Sequence, residues 1–560
     1  MNVSSSRVAR RVVLCLAVLL AVLVLPAPAR AQQAAPSALQ PALHKGPPAK
    51  YVIFFIGDGM GLAQRMAGDL YMDAMESKMP QAGVFRLAMN RLPAQGLATT
   101  FGADAVITES AAAGTALASG QKTVKGVLGL DATRKNPTTT LADLAKAGGR
   151  KVGVVSTASI DHATPAAFYA HVLRRGDYYG IARQLAASKV DFFAGGGFKQ
   201  PKGKDGKKGD VMKEIEAAGF TVCRTAEEIA KLTPQSGRAL AIHPSLDSEK
   251  SVVYEIDRKP EDPSLADLTA KALECLEGPE GFFLMVEGGK IDWACHANDA
   301  ATAVRETLAL DHAIQEAMKF YERHKDQTLI VVTADHETGG LSLGYSATGY
   351  KLHLERLANQ KMSLGVLSKK VSDYRKTRKY ETARFEELLG LLEEATGLAP
   401  ETPEHKAAAA KALADLVAAE KALKNLTGQA REEAEDDLDD AKAEYAQLVG
   451  MVLNAGELEA MKRAFDASMR KLLPKPKTTA PDPAKYQPDL SYGGREPFAV
   501  EAVRILNRKA GINWGSYAHT AIPVPVSAIG VGQETFTGFY DNTHLQKKIA
   551  AAMGVAAGGR

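Results

Sequence analysis

The chain has 560 residues, 46% of them hydrophobic and 24% charged, with a formal net charge of +4 at pH 7. That length and composition suit a globular protein with a large core and room for more than one domain. So small a charge gives no reason to expect a nucleic-acid partner, and no RNA- or DNA-binding motif appears.

At the N-terminus Arg7, Arg10 and Arg11 form a basic segment, residues 12–25 an apolar one, and Ala29-Arg30-Ala31 a small-x-small cleavage site. This is the pattern of a secretory signal peptide over residues 1–31. The apolar stretch is too short to be a membrane anchor, which takes about 20 residues. No other long apolar run follows, so the expectation is an exported protein, periplasmic or secreted, and not an integral membrane protein. The Arg10-Arg11 pair is similar to a twin-arginine signal, but two arginines do not decide the route. Of the cysteines, Cys15 leaves with the signal; Cys223, Cys275 and Cys295 remain. A Cys223–Cys275 bridge stays open, and Cys295 reads as a small packing residue.

Residues 32–49, rich in Ala, Pro and Gln, read as a disordered leader. Residues 51–56 are then continuously apolar, as in a strand buried on both faces, and similar runs recur at 152–155, 190–193, 282–286 and 329–332. Helical patterns at 141–147, 178–187 and 300–324 separate them. Strands alternating with helices predict a doubly wound, largely parallel α/β sheet, with ligands beyond the carboxyl ends of its strands. From 350 to 473 the composition changes. Leu413, Leu416, Leu423 and Leu426 carry one apolar stripe and Ala434, Leu438, Ala441, Tyr445 and Leu448 another, joined by Thr427-Gly428. They predict an antiparallel helical hairpin with the charged run 431–440 on its solvated face. Residues 474–487 read as a Pro-rich linker, so the main domain comprises 50–345 and 488–560 and the helical block is an insertion.

Chemistry gathers at the strand ends. Asp58, Glu287 and Asp335 each follow a buried apolar strand, so one sheet edge receives three carboxylates, which repel unless a cation neutralises them. Asp292 and His296, four apart, share a helix face and are able to grip one ion; His519, far along the chain, would complete such a site. Carboxylate with imidazole suits Zn²⁺, and an all-oxygen set suits Mg²⁺. In Thr108-Glu109-Ser110-Ala111-Ala112 a lone serine opens an Ala-rich helix, with Thr108 or Ser110 as the expected N-cap. Its amide groups would face an anion. Together these residues imply phosphoryl transfer to Ser110 assisted by metals. Of Arg174 and Arg175, an arginine fork would match the non-bridging phosphate oxygens.

In their order these motifs resemble the alkaline phosphatase family. The match comprises Gly57-Asp58-Gly59-Met60-Gly61, the Thr-acid-Ser-Ala-Ala motif at 108–112 and His162-Ala163-Thr164-Pro165-Ala166-Ala167. It continues in Glu287-Gly288-Gly289-Lys290-Ile291-Asp292 with His296, in Thr333-Ala334-Asp335-His336 and in His519-Thr520. The resemblance implies that Ser110 is phosphorylated and then hydrolysed. It implies one zinc on Asp292, His296 and His519, a second on Asp58, Asp335 and His336, and a magnesium on Asp58, Thr164 and Glu287. Arg175 falls where the family binds phosphate. Three departures stand out: Glu109 replaces the usual Asp beside the nucleophile, and His162 and Trp293 occupy positions that vary within the family. Small phosphomonoesters are the implied substrates, and a homodimer is left open. Two alternatives are a phosphodiesterase built on the same site and a binding protein working through its helical insertion. A sulfatase is disfavoured, since no Cys-x-Pro-x-Arg motif exists.

Overall fold

A computed structural model describes residues 40–76, 78–472 and 491–555. The signal peptide, most of the leader and the linker at 474–487 lie outside these residues. Ten strands form one sheet: β1 (Tyr51–Gly57), β2 (Ala94–Thr99), β3 (Lys151–Ser156), β4 (Phe192–Gly195), β5 (Phe220–Cys223), β6 (Arg238–Ile242), β7 (Phe282–Gly288), β8 (Thr328–Ala334), β9 (Val524–Gly530) and β10 (Gly538–Asp541). Their order is β10-β2-β9-β8-β1-β7-β3-β4-β6-β5. β9 runs antiparallel to both β8 and β2, and every other pairing is parallel. The predicted doubly wound, largely parallel sheet is therefore present.

The central strands are buried along their whole length because helices cover both faces. Register is what matters for function. Ile56 lies opposite both Glu287 and Thr333, and Ser156 opposite Glu287, so β1, β3, β7 and β8 end level with one another. Helices predicted at 141–147 and 178–187 occur at those bounds. The strand expected at 190–193 instead begins at Phe192. Asp191 just before it bonds Val152 and Ala239 through its backbone, and its carboxylate accepts from the Val152 amide at 2.7 Å and from Lys146 at 2.9 Å.

The helical region divides in two. Its outer parts build a second apolar core, in which Leu357, Leu367, Leu392 and Met461 pack with Phe498 and Leu506. The last two belong to helix Pro497–Lys509, which follows the linker. Only helices Pro403–Ala422 and Gln429–Gly450 form the predicted hairpin. Its seam runs through Ala412, 2% exposed, whereas the expected Leu413 is 44% exposed. A helix of 3.6 residues per turn drifts off a strict heptad, and alanine permits the close approach. At the hairpin base Ala399 and Pro400 pair in parallel with Val452 and Leu453. Cys223, Cys275 and Cys295 are buried and unpaired. Among the described residues no helix is long and apolar enough to cross a membrane.

This division predicts two different outcomes for deletion. Excising 402–450 and bridging the paired base with a short Gly/Ser linker leaves a cooperative thermal unfolding transition within a few degrees of the parent. Excising 375–473 strips Leu392 and Met461 from the second core, where each truncated large apolar side chain costs about 2–5 kcal/mol. That protein shows no cooperative transition by calorimetry.

Candidate active site

Ser110 is the first residue of helix Ser110–Ser119 and is 2% exposed. The N-cap is neither Thr108 nor Ser110 but Glu109, whose carboxylate accepts from the amides of Ala111 at 3.0 Å and Ala112 at 2.8 Å. An extended backbone at Glu109, φ −138° and ψ 165°, turns that side chain over the helix end. Small residues continue the helix because it passes close to Thr164. A Cβ on Gly114 would stand 3.5 Å from the Thr164 Cα and 3.3 Å from the Ala167 Cβ. Ser110 Oγ lies 3.4 Å from His336 Nε2.

Around this hydroxyl the structure assembles three sets of ligand-type side chains, each with its donor atoms within 4.8 Å of one another: Asp292, His296 and His519; Asp58, Asp335 and His336; and Asp58, His162 and Glu287. In the first set His296 Nε2 is 3.4 Å from Asp292 Oδ1 and 3.1 Å from His519 Nε2. In the second, His336 Nε2 is 3.1 Å from Asp335 Oδ2 and 3.5 Å from Asp58 Oδ1. Both oxygens of Asp58, Glu287 Oε1, Thr164 Oγ1 and His162 Nδ1 are buried without a hydrogen-bond partner. Asp58, Glu287 and Asp335 are each 0% exposed. Buried carboxylates left unpaired in this way are costly unless a cation takes the place of water, so the donor set fits divalent metals.

The electrostatics agree. Burial, reinforced by Asp335, Asp292 and Glu287, pushes the Asp58 carboxyl far above the usual carboxylate range. Burial raises Glu287 to about 8, against the hydrogen bond it accepts from Ser156. Burial lowers His519 to about 4 with help from His336, and burial with the Arg175 charge lowers His162 well below its ordinary value, so both environments favour the neutral ring that a metal ligand requires. Asp335, although buried, is held below its ordinary value by His336 beside it and by the Gly59 amide.

Arg175 is half-buried beside Glu109, whereas Arg174 is exposed. Arg175 Nη1 donates to Glu109 Oε2 at 2.6 Å, and Nη2 lies 3.1 Å from His162 Nε2. The Gly126 amide donates to Glu109 Oε1 at 2.9 Å, and Gly126 O accepts from the Arg175 amide at 2.8 Å, closing a loop around the pair. Trp293 stands edge-on to His162, with ring centroids 5.7 Å apart, and Lys290 Nζ sits 4.5 Å above the Trp293 ring. All thirteen residues singled out in the sequence thus converge on one place.

Several positioning groups were not foreseen. Thr338 donates to Asp292 Oδ1 at 2.6 Å and lies 3.2 Å from His336 Nδ1, touching two of the sets at once. The Thr108 and Tyr517 carbonyls meet the Nδ1 atoms of His519 at 2.9 Å and His296 at 2.6 Å. Such contacts favour the tautomer with the proton on Nδ1 and leave Nε2 as the atom able to ligate a metal. His519 is brought in by a two-residue antiparallel ladder, His519 against Thr338 and Thr520 against Glu337. Only Ser156, a polar residue ending a buried strand, carried any signal in the sequence.

A serine at a helix start, beside clustered ligand-type side chains at the carboxyl edge of a parallel sheet, is an arrangement suited to metal-dependent hydrolysis of phosphate esters. The alkaline phosphatase family model matches residues 49–387. Alkaline phosphatase 4 of Bacillus subtilis (strain 168) is 33% identical over 445 residues, covering 78% of this chain and 74% of the relative. The crystal structure of the Thermus thermophilus alkaline phosphatase superposes with a TM-score of 0.67 at 26% identity, covering 95% of this chain and 96% of that one. A cold-active alkaline phosphatase from a psychrophilic Shewanella sp. gives 0.63 at 27% identity, covering 90% and 99%. The chain belongs to the alkaline phosphatase family, and it is a phosphatase.

Metal uptake at Asp58 and Glu287 would displace protons, because burial favours the protonated form of both carboxyls and raises Glu287 to about 8. The apparent affinity of this site is therefore expected to fall as pH drops below about 8, about tenfold per unit for each proton displaced. Competition against a chromophoric chelator between pH 6 and 9 measures this, and a pH-independent affinity would contradict it. For Glu109→Ala, loss of the cap predicts about 1 kcal/mol lower stability in urea titration, with weaker binding of orthophosphate as Arg175 loses its partner.

Proposed function

We propose that the protein is an exported phosphomonoesterase that works through a phosphorylated Ser110. Zinc would be held by Asp292, His296 and His519 and by Asp58, Asp335 and His336, and magnesium by Asp58, Thr164 and Glu287. The observation that carries this reading is Ser110 Oγ, 3.4 Å from His336 Nε2 at the meeting point of the ligand sets. When bound, such cations supply Lewis-acid neutralisation of phosphoryl oxygens and lower the pKa of a coordinated hydroxyl or water.

The chain's own residues do the rest. Ser110 Oγ attacks phosphorus in line with the departing alkoxide, so the phosphoryl group passes to the serine; water then cleaves the phosphoserine and releases orthophosphate. The Arg175 fork holds two non-bridging oxygens, and the amides at the helix start face the same charge. Glu109 keeps that fork in place. Its extra methylene is absorbed by capping the helix, and its carboxylate still closes on Arg175 at 2.6 Å. A monoester carries more charge than a diester, and this arginine together with the third ligand set supports the monoester reading. His162 adds an imidazole to that third set, a donor that favours zinc over magnesium relative to an all-oxygen site. The reading of residues 1–31 as a cleavable signal peptide supports export.

Ser110→Ala with undiminished metal content is expected to lose at least about 10³-fold in kcat on an aryl phosphate. Equal hydrolysis by parent and variant would overturn the mechanism. Comparing kcat/KM for a monoester and a diester with one leaving group tests specificity, and a preference for the diester would reverse the assignment.

A further inference from the structure

Glu337, between His336 and Thr338, is a buried carboxylate that takes no part in the phosphoryl transfer; it is only 2% exposed. A carboxylate so placed is costly unless hydrogen bonds or a cation compensate it. Here every donor it meets is neutral. Gln64 Nε2 donates to Oε1 at 2.7 Å, and the Gly340 amide lies 3.0 Å from Oε1 and 3.2 Å from Oε2. The Thr520 hydroxyl donates to Oε2. Gly61 leaves room for this side chain, since a Cβ there would stand 2.4 Å from Glu337 Cγ.

These partners come from three separate parts of the chain. Gln64 belongs to helix Leu62–Met75, which starts shortly after Asp58, and it also donates to the Thr338 carbonyl at 2.9 Å. Gly340 lies in the tight turn that follows Thr338, and Thr520 is the neighbour of His519. That turn is a cradle for the segment bearing His519. The Gly339 amide donates to the Ala518 carbonyl at 2.9 Å, and the Gly339 carbonyl accepts from the amides of Gly515 and Ser516 at 3.0 Å. Gly339 has φ +91°, and a Cβ on it would stand 2.5 Å from the Trp514 ring. Regular pairing around His519 itself amounts to two residues, which fix register only weakly. The bond from Thr520 to Glu337 adds a fixed point one residue away from the imidazole.

We infer that Glu337 is a positioning residue for the Asp292, His296 and His519 set and that it acts through Thr520. Its carboxylate ties Thr520 Oγ1 to helix Leu62–Met75. It thereby sets where His519 Nε2 stands, 3.1 Å from His296 Nε2 and 3.5 Å from Asp292 Oδ1. The inference rests on the reading of this set as a metal site. The Asp58, Asp335 and His336 set does not depend on Thr520 in this way, because its members directly follow the paired strands β1 and β8.

The test follows metal release from the metal-loaded, full-length protein into rising concentrations of a chelator, with zinc and magnesium per chain measured by plasma mass spectrometry. His519→Ala identifies the release step that belongs to its set. Thr520→Val keeps the shape and removes the hydroxyl; it is expected to move that step, and no other, to about tenfold lower chelator. Glu337→Ala should move the same step at least as far. Adding Thr520→Val to Glu337→Ala should shift it no further, as for two residues acting as one unit. Thr520→Ser keeps the hydroxyl and should match the parent within about twofold, which separates lost positioning from misfolding. A step unmoved in Thr520→Val or in Glu337→Ala would overturn the inference and leave the metal reading intact. So would a joint shift of every step, the mark of general loosening, or additive effects in the double variant. If the parent showed no step that His519→Ala removes, the metal reading of the set would fall and this inference with it.

Discussion

Three carboxylates buried at the carboxyl edge of adjacent strands are the constraint on which the rest of this structure depends. Asp58, Glu287 and Asp335 are fully inaccessible, and the register of β1, β7 and β8 leaves them no way to separate. Such a cluster is costly as charge, because bringing charge into a low-dielectric interior costs several kcal/mol per ion unless it is compensated, and protons on Asp58 and Glu287 or bound cations supply that compensation. Everything nearby reads as compensation or orientation: neutral imidazoles, hydroxyls from Ser156 and Thr338, and backbone amides from Gly59 and His336 on Asp335.

Glu109 joins that cluster to Ser110, the proposed nucleophile. One carboxylate caps the helix that presents Ser110, accepts from Gly126 and holds Arg175. The start of that helix and the placement of Arg175 are thus tied through a single residue. Despite its burial the Glu109 carboxyl lies below its ordinary value, since Arg175 and the three amides favour the ionised form. The longer side chain in place of aspartate does not loosen the arginine here, because the backbone before Ser110 is extended and gives the extra length somewhere to go.

The helical region has a double role. Its outer parts, on either side of the hairpin, build the second apolar core with helix Pro497–Lys509. From that helix the chain passes through Trp514 and Tyr517 to His519. The second core and one set of ligand-type side chains are therefore joined by one run of chain, and the hairpin itself projects from a paired base.

The sequence by itself determined the sheet class, its central strands and the acidic and imidazole groups at their ends. Local signals suffice there: an unbroken apolar run marks a strand buried on both faces, and a carboxylate at its end is conspicuous. The sequence also determined the helix bearing Ser110, through its small residues. Tertiary structure alone decided that Glu109 is the cap and that Thr338 bridges two sets of ligand-type side chains. It also decided that Ala412, not Leu413, forms the hairpin seam. Each of these rests on contacts between segments far apart in the chain or on the phase of a helix against its partner, and neither leaves a periodicity in the residues concerned. His519 shows the difference most plainly. Its residue type was legible, but a two-residue ladder to Thr338 and Glu337 is what places it beside His296 and His336.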